Sequence, residues 1–309
     1  MSLARRVAAV AVAAPVLLAA AAAAAPAADA ATRRPAAWGS VKRASGPVAW
    51  GGSRPTQPVT ATVSGPATTP PATPLRVELW GDSLSWQSTS YWTPLMTAGH
   101  HATVKARVFG GTALCDWLGD MQSELNSANQ NGFHPQVVVL QFSGNAFTPC
   151  MQNGGVPLAS DQLVAKYRGD AMTAIGFAQA AHATVYVASS PIPGFQARLY
   201  TGQTPLGTMY SQLPSAYPGV VRFIDGANPL EWQGKYTATL PCATNEKCTG
   251  QWANGTKTVV VRQNDGMHFC PTPVKVVLGV TDPCPVYSPG AARFAAALAD
   301  PVISDYDLG

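Results

Sequence analysis

Leu75-Arg76-Val77-Glu78-Leu79-Trp80-Gly81-Asp82-Ser83-Leu84-Ser85 decides how the rest of the chain is read. Its first half is rich in strand-favouring residues and predicts a β-strand over 75–80. The strand breaks at Gly81, and the polar, aromatic and apolar residues behind it suit a helix. A strand that turns into a helix at a glycine leaves the next side chains at the carboxyl edge of a sheet, where open α/β sheets carry out their chemistry. Ser83 therefore stands where a nucleophile would. A serine hydroxyl alone is a poor nucleophile. The reading needs a base, a group to orient that base, and donors for an oxyanion.

Outward from this stretch the pattern alternates strand and helix. Strands are expected at Thr103–Phe109, Gln136–Phe142, Thr184–Ser189 and Val220–Ile224. Helices are expected over 87–98, Asp116–Ser127, Ser160–Ala181 and 290–299. The third of these has Asp161 in its first turn and apolar positions at Leu163, Val164, Tyr167, Ala171, Ile175 and Ala178. Five strands alternating with helices predict an α/β fold, a three-layer α/β/α sandwich on a five-stranded parallel sheet. Residues 226–264 do not fit the alternation and read as an irregular excursion near the active edge.

The base comes from Asp265-Gly266-Met267-His268. A carboxylate three residues before a histidine can turn back and hold the ring's Nδ1–H, leaving Nε2 free to take a serine proton. On its own, Asp-x-x-His is an ordinary loop. Together with Gly-Asp-Ser after the first strand it reads as a catalytic Asp265 and His268 serving Ser83. The remaining histidines, His100, His101, His134 and His182, lack a carboxylate in this relation and read as surface residues. Oxyanion donors are expected at two further strand ends: the Gly110-Gly111-Thr112 backbone, where glycine allows close approach, and the side-chain amide of Asn145 in Ser143-Gly144-Asn145. Gly110 and Gly111 remain alternatives for the backbone donor.

The chain has 309 residues, 20 basic and 16 acidic. The excess is local. Residues 1–75 hold seven basic residues against Asp29, which leaves thirteen basic and fifteen acidic residues for 76–309. The folded part is thus near neutral and offers no basic face for nucleic acid. Arg5 and Arg6 precede an apolar run from Val7 to Ala25, and Ala28-Asp29-Ala30 is a small-x-small cleavage site. Residues 1–30 read as a signal peptide. An uncleaved anchor is the competing reading, disfavoured by the alanine content and the cleavage site. Residues 31–74, rich in Ala, Pro, Thr, Ser and Gly, read as a linker, and 75–309 as the domain. About 230 residues suit one α/β domain. Secretion, or association with the cell envelope, is expected.

All six cysteines lie in the domain. An even count behind a signal peptide reads as three disulfides. Sequence-adjacent pairing suggests Cys242–Cys248 and Cys270–Cys284, leaving Cys115–Cys150. A zinc site lacks CxxC pairs and a histidine cluster, so no metal is expected.

These residues resemble the SGNH, or GDSL-type, serine hydrolase family. Gly81-Asp82-Ser83-Leu84-Ser85 looks like its first block, Gly110 with Thr112 like the second, Asn145 like the third, and Asp265 and His268 like the fifth. The third block departs from the family's Gly-x-Asn-Asp, reading Ser143-Gly144-Asn145-Ala146. The resemblance implies a flavodoxin-like fold, Ser83 as nucleophile and as one oxyanion donor through its N–H, Gly110 and Asn145 as the others, and Asp82 as a shaper of the nucleophile turn. It implies a serine esterase acting on a small-molecule, lipid or glycan ester without cofactor, as a monomer. Acyl transfer or deacetylation on envelope carbohydrate is the alternative, with Trp80, Trp86, Trp92 and Trp117 as possible sugar platforms, though at least half of these read as core. An inactive surface-binding module is the third reading.

Overall fold

A computed structural model describes residues 73–126, 132–244, 246–270, 275–277 and 280–308. The signal peptide expected at 1–30 and the linker up to residue 72 lie outside the described residues.

Five parallel strands form the central sheet: β1 (Leu75–Gly81), β2 (Ala102–Val108), β3 (Val137–Gln141), β4 (Thr184–Ala188) and β5 (Val221–Ile224). Their spatial order is β2-β1-β3-β4-β5. Parallel neighbours need crossover connections, and helices supply them. The helices are α1 (Ser83–Thr97), α2 (Leu114–Asn126), α3 (Ser160–Ala180), α4 (Pro205–Ala216) and α5 (Pro289–Tyr306). The expected three-layer architecture is present.

Both faces of the sheet are buried, as a parallel sheet requires. Successive side chains alternate between them. Val77, Leu79, Val137 and Val139 join one core with Trp92, Met96, Phe294 and Leu298 of α1 and α5. Trp80, Val138 and Leu140 join the other, with Met121, Tyr167, Ile175 and Tyr210 of α2, α3 and α4. This period of two makes β3, Val-Val-Val-Leu-Gln, apolar throughout, since both of its faces are covered.

Three elements differ from expectation. Helix α1 starts at Ser83 rather than 87, because buried Asp82 is its N-cap and accepts the Leu84 N–H at 3.1 Å. Helix α4 is an addition. Its prolines suggest a loop, yet Pro205 occupies the first turn, where a missing N–H has no helical partner to lose, and Thr204 caps it by accepting from Gly207. Helix α5 continues through Pro301 to Tyr306, because Phe294, Leu298 and Val302 bury one continuous face.

The excursion is ordered. Glu231–Trp232 and Lys235–Tyr236 form a hairpin, and Thr239–Pro241, Gly250–Gln251 and Lys257–Val260 form a small antiparallel sheet. Leu240, Val259 and Val261 from this region are buried against the α1/α5 side of the core. The three disulfides are Cys115–Cys150, Cys242–Cys248 and Cys270–Cys284, the pairing expected from sequence. Among the described residues, no helix is long and apolar enough to cross a membrane.

Candidate active site

Register assembles the site. Gly81 at the end of β1 pairs with Val108 of β2 and with Gln141 of β3. Two residues beyond each lie Ser83, Gly110 and Ser143, so three loops leave the sheet at one level. Gly81 is there because nothing larger fits: a Cβ would lie 2.5 Å from Ser85 Oγ and 2.8 Å from the Gln141 carbonyl. The chain turns directly into α1 and presents Ser83, 8% exposed, in the helix's first turn.

His268 Nε2 lies 3.0 Å from Ser83 Oγ. On the other side of the ring, Nδ1 lies 2.6 Å from Asp265 Oδ2. The other Asp265 oxygen accepts the backbone N–H groups of Met267 and His268, both at 2.9 Å. The loop thus folds back on its own carboxylate, at Gly266 with a φ of +69°. Partial burial pushes the Asp265 carboxyl up, but the Met267 N–H, the His268 ring and the His268 N–H outweigh it and hold the group below its ordinary value. The acid therefore stays ionised beside the ring. Its hydrogen bond selects the tautomer with the Nδ1 proton, and Nε2 is left as the acceptor for the serine proton.

Packing fixes the loop from outside. Gly194 N–H donates to the Gly266 carbonyl at 2.8 Å, and a Cβ on Gly266 would lie 3.0 Å from Gly194 Cα. The Tyr236 hydroxyl lies 3.3 Å from that same Cβ position. The excursion therefore reaches the Asp265–His268 loop. Behind it, the buried Arg262 guanidinium lies 4.7 Å from the Phe269 ring centroid. Burial pushes Arg262 down to about 10 and Glu231 up to about 7. Glu231 accepts the Ile192 N–H at 2.8 Å, anchoring the loop that carries Gly194.

Asp82 does more than cap α1. Its Oδ2 accepts the Ser143 N–H at 2.5 Å and the Ser143 hydroxyl at 2.6 Å. Burial pushes this carboxyl up from its ordinary value, and the Ser143 and Leu84 hydrogen bonds oppose that. Asn145 Nδ2 donates to the Thr112 carbonyl at 2.8 Å and lies 3.4 Å from Asp82 Oδ2. The amide thus sits where the loops after β1, β2 and β3 meet. The two glycines separate. A Cβ on Gly110 would lie 3.1 Å from the Trp86 ring and 3.9 Å from Ser83 Cβ, whereas one on Gly111 meets nothing within 4 Å. Gly110 is the residue that closes on Ser83.

Of the four tryptophans considered as sugar platforms, Trp80 and Trp92 are fully buried. Trp117 packs edge-on against Trp80 and donates its indole N–H to Thr112. Of the four, Trp86 alone borders Ser83, stacked on Phe109 with centroids 5.4 Å apart. Of the other histidines, His134 and His182 are exposed and His101 is half-buried. Cys115, Asp116 and Cys150 lie close together, but the two sulfurs are spent on a disulfide.

Sequence reasoning missed several residues that shape the site. Gln141 accepts the Ser85 N–H at 3.1 Å and the Ser85 hydroxyl at 2.5 Å, and donates to Ser190. Gln87 accepts from Phe269 and Cys270. The available signal was positional: polar side chains on a buried strand and on the buried face of a helix.

Neither a family model nor a curated protein matches the sequence. Solved structures are similar in outline. A Bacteroides fragilis protein provisionally named an acylhydrolase aligns over 75% of this chain and 90% of its own, at 13% identity and a TM-score of 0.44. A GDSL-like lipase from Bacteroides thetaiotaomicron aligns over 74% and 88%, at 14% identity and a TM-score of 0.40. A carbohydrate esterase family 2 enzyme with a carbohydrate binding domain, from Corynascus thermopiles, aligns over 76% and 68%, at 13% identity and a TM-score of 0.43.

Proposed function

We propose that this chain is an exported serine esterase of the SGNH type, with Ser83 as nucleophile, His268 as base and Asp265 as the residue that orients the base. The observation that carries the reading is the continuous relay from Asp265 Oδ2 through the His268 ring to Ser83 Oγ, at 2.6 and 3.0 Å.

The chemistry follows from that relay. Nε2 takes the hydroxyl proton as Ser83 Oγ attacks the ester carbonyl. The carbonyl oxygen becomes an oxyanion, held by the N–H of Ser83, the N–H of Gly110 and the Asn145 amide, which gives up its long 3.4 Å contact with Asp82 to do so. Asp265 stabilises the imidazolium that has formed. The C–O bond to the alcohol then breaks, and the imidazolium delivers its proton to the leaving oxygen. Water repeats the sequence on the acyl-enzyme, releasing the acid and restoring Ser83.

The flanks of the nucleophile favour an ester with an apolar part. Phe109 is 57% exposed on the Trp86 stack beside Ser83, and Phe195, next to Gly194 at the base loop, is 70% exposed. Burying such rings against an acyl chain or an apolar alcohol is favourable by about 25 cal/mol per Å². A lipid-like or aromatic ester is therefore preferred over the acetylated sugar considered from sequence, for which only Trp86 of the four tryptophans lies at the site.

The test is hydrolysis of nitrophenyl esters of graded chain length by the secreted domain, with Ser83→Ala alongside. Turnover is expected to rise with chain length beyond acetate, and to fall by at least about 10⁴-fold in Ser83→Ala. Fluorophosphonate labelling of the wild-type protein is expected at Ser83. Wild-type turnover in Ser83→Ala would remove the reading, and an unlabelled, inactive protein would favour a binding module.

A further inference from the structure

The nucleophile and the base lie 185 residues apart in the chain, and nothing in the sheet joins them directly. The connection runs through one stripe of α1. Ser83, Gln87 and Tyr91 are spaced four residues apart, so they line one side of that helix in successive turns. Gln87 is only 5% exposed. Its side-chain oxygen accepts the backbone N–H of Phe269 at 2.8 Å and of Cys270 at 3.1 Å. These are the two residues that follow His268. One turn further on, the Tyr91 hydroxyl accepts the Ser288 N–H at 2.8 Å, and the Ser288 hydroxyl donates to the Phe269 carbonyl at 2.7 Å. Gln263 donates to that same carbonyl at 2.9 Å.

We infer that Gln87 is a positioning residue which sets the Ser83–His268 distance by fastening the segment after the base to the helix that carries the nucleophile. This rests on the esterase reading. A single carbonyl oxygen holding two consecutive N–H groups fixes both the height and the rotation of the segment it grips. Because the acceptor is a neutral amide, it adds no charge beside the base, whose ionised partner Asp265 already faces the other ring nitrogen. A shift of the base by about 1 Å is enough to lower turnover by roughly 10²-fold, so this tether acts on the chemical step.

The experiment compares Gln87→Leu, Gln87→Asn and Gln87→Glu, with turnover counted per fluorophosphonate-titrated site and folding followed by circular dichroism. Gln87→Leu keeps the volume and loses both acceptors. It is expected to lower kcat on the order of 10- to 100-fold with KM nearly unchanged, and to slow the labelling rate in parallel. Gln87→Glu keeps the acceptors and is expected to retain kcat. Its added carboxylate near the base should move the acidic limb of the kcat/KM profile to higher pH. A purely structural role would lower thermal stability and the titrated fraction while leaving kcat per site in Gln87→Leu unchanged, and that result overturns the inference. If Gln87→Leu does not fold, Gln87→Asn, one methylene too short to reach, is expected to show the same kcat loss. An unchanged kcat per site in Gln87→Asn then overturns the inference. Wild-type turnover in Ser83→Ala removes the esterase reading itself. An inactive Ser83→Ala beside a fully active Gln87→Leu removes only the tether.

Discussion

The Asp82 carboxylate accepts both the backbone N–H and the hydroxyl of Ser143, at 2.5 and 2.6 Å. This pair binds the nucleophile turn to the loop that carries Asn145. The anchoring carboxylate thus comes from the neighbouring strand end. Removing it in Asp82→Ala leaves buried N–H groups unpartnered and strips α1 of its cap. The expected loss is about 2–4 kcal/mol of stability, read as a lower urea midpoint, together with a fall in turnover at temperatures where the protein is still folded. An unchanged midpoint would mean that the two loops are held by something else.

Gly110 and Gly111 make opposite predictions. Alanine at Gly110 places a methyl group 3.1 Å from the Trp86 ring, on the side facing Ser83. Turnover is expected to drop by about 10-fold or more, since the Gly110 N–H is the oxyanion donor proposed above and its displacement acts on the transition state. Alanine at Gly111 has open space but must adopt a φ of +80°. It is expected to cost about 1 kcal/mol of stability and to leave kcat near wild type. Steady-state kinetics beside thermal melts separate the two, and the reverse pattern would assign the donor to Gly111.

The Cys115–Cys150 bridge spans 35 residues and joins the start of α2 to the segment beyond Asn145. Replacing both cysteines by alanine releases a loop of that length in the unfolded chain, on the order of 3–4 kcal/mol in the loop-entropy picture. Because the Asn145 amide rests on the Thr112 carbonyl across this junction, kcat is expected to fall as well. Denaturant titration and kinetics on the double variant measure the two effects. Full activity in the folded variant would show that the hydrogen bonds alone hold the junction.

Glu231 gives a pH signature. Its folded value is raised by burial to about 7, against an ordinary value of 4.5. At pH below 4.5 it is protonated in both states, and its contribution is fully present. As pH rises, the unfolded chain releases this proton first, so stability declines until about pH 7 and is level above it. The expected loss is up to about 3 kcal/mol. Glu231→Gln, which can still accept the Ile192 N–H, should flatten that part of the curve. Melting temperatures of the two proteins from pH 5 to 8 decide it, and parallel curves would count against a buried protonated Glu231.

Most of the sheet was legible because its signals are local. β1, β3 and β4 are short runs of branched and apolar residues bounded by glycine or polar turns, and their edges fall within a residue or two of expectation. The Asp265–His268 turn was legible for the same reason: its four residues form their hydrogen bonds within the loop. Helix α4 was hidden by Pro205 and Pro214, which signal a break in sequence but are tolerated near the ends of a helix that buries Leu206, Met209 and Tyr210. The tryptophans could not be sorted by sequence, because whether Trp80 on β1 and Trp86 on α1 face the core or the open edge is decided by packing.

By itself the sequence determined the α/β alternation and placed Ser83, Asp265 and His268 at strand-end and loop positions suited to the proposed chemistry; for the cysteines it supplied only a preference for neighbouring pairs. These depend on chain-local propensity and spacing. Only the tertiary structure decided that the ends of β1, β2 and β3 share one level, that Asp82 rather than a residue after Asn145 anchors the third loop, that Gly110 rather than Gly111 faces the serine, and that Gln87 grips the segment behind the base. Each of these is a contact between residues far apart in sequence, set by strand register and helix packing, and a polar side chain carries no mark in the sequence of the distant backbone group it will meet.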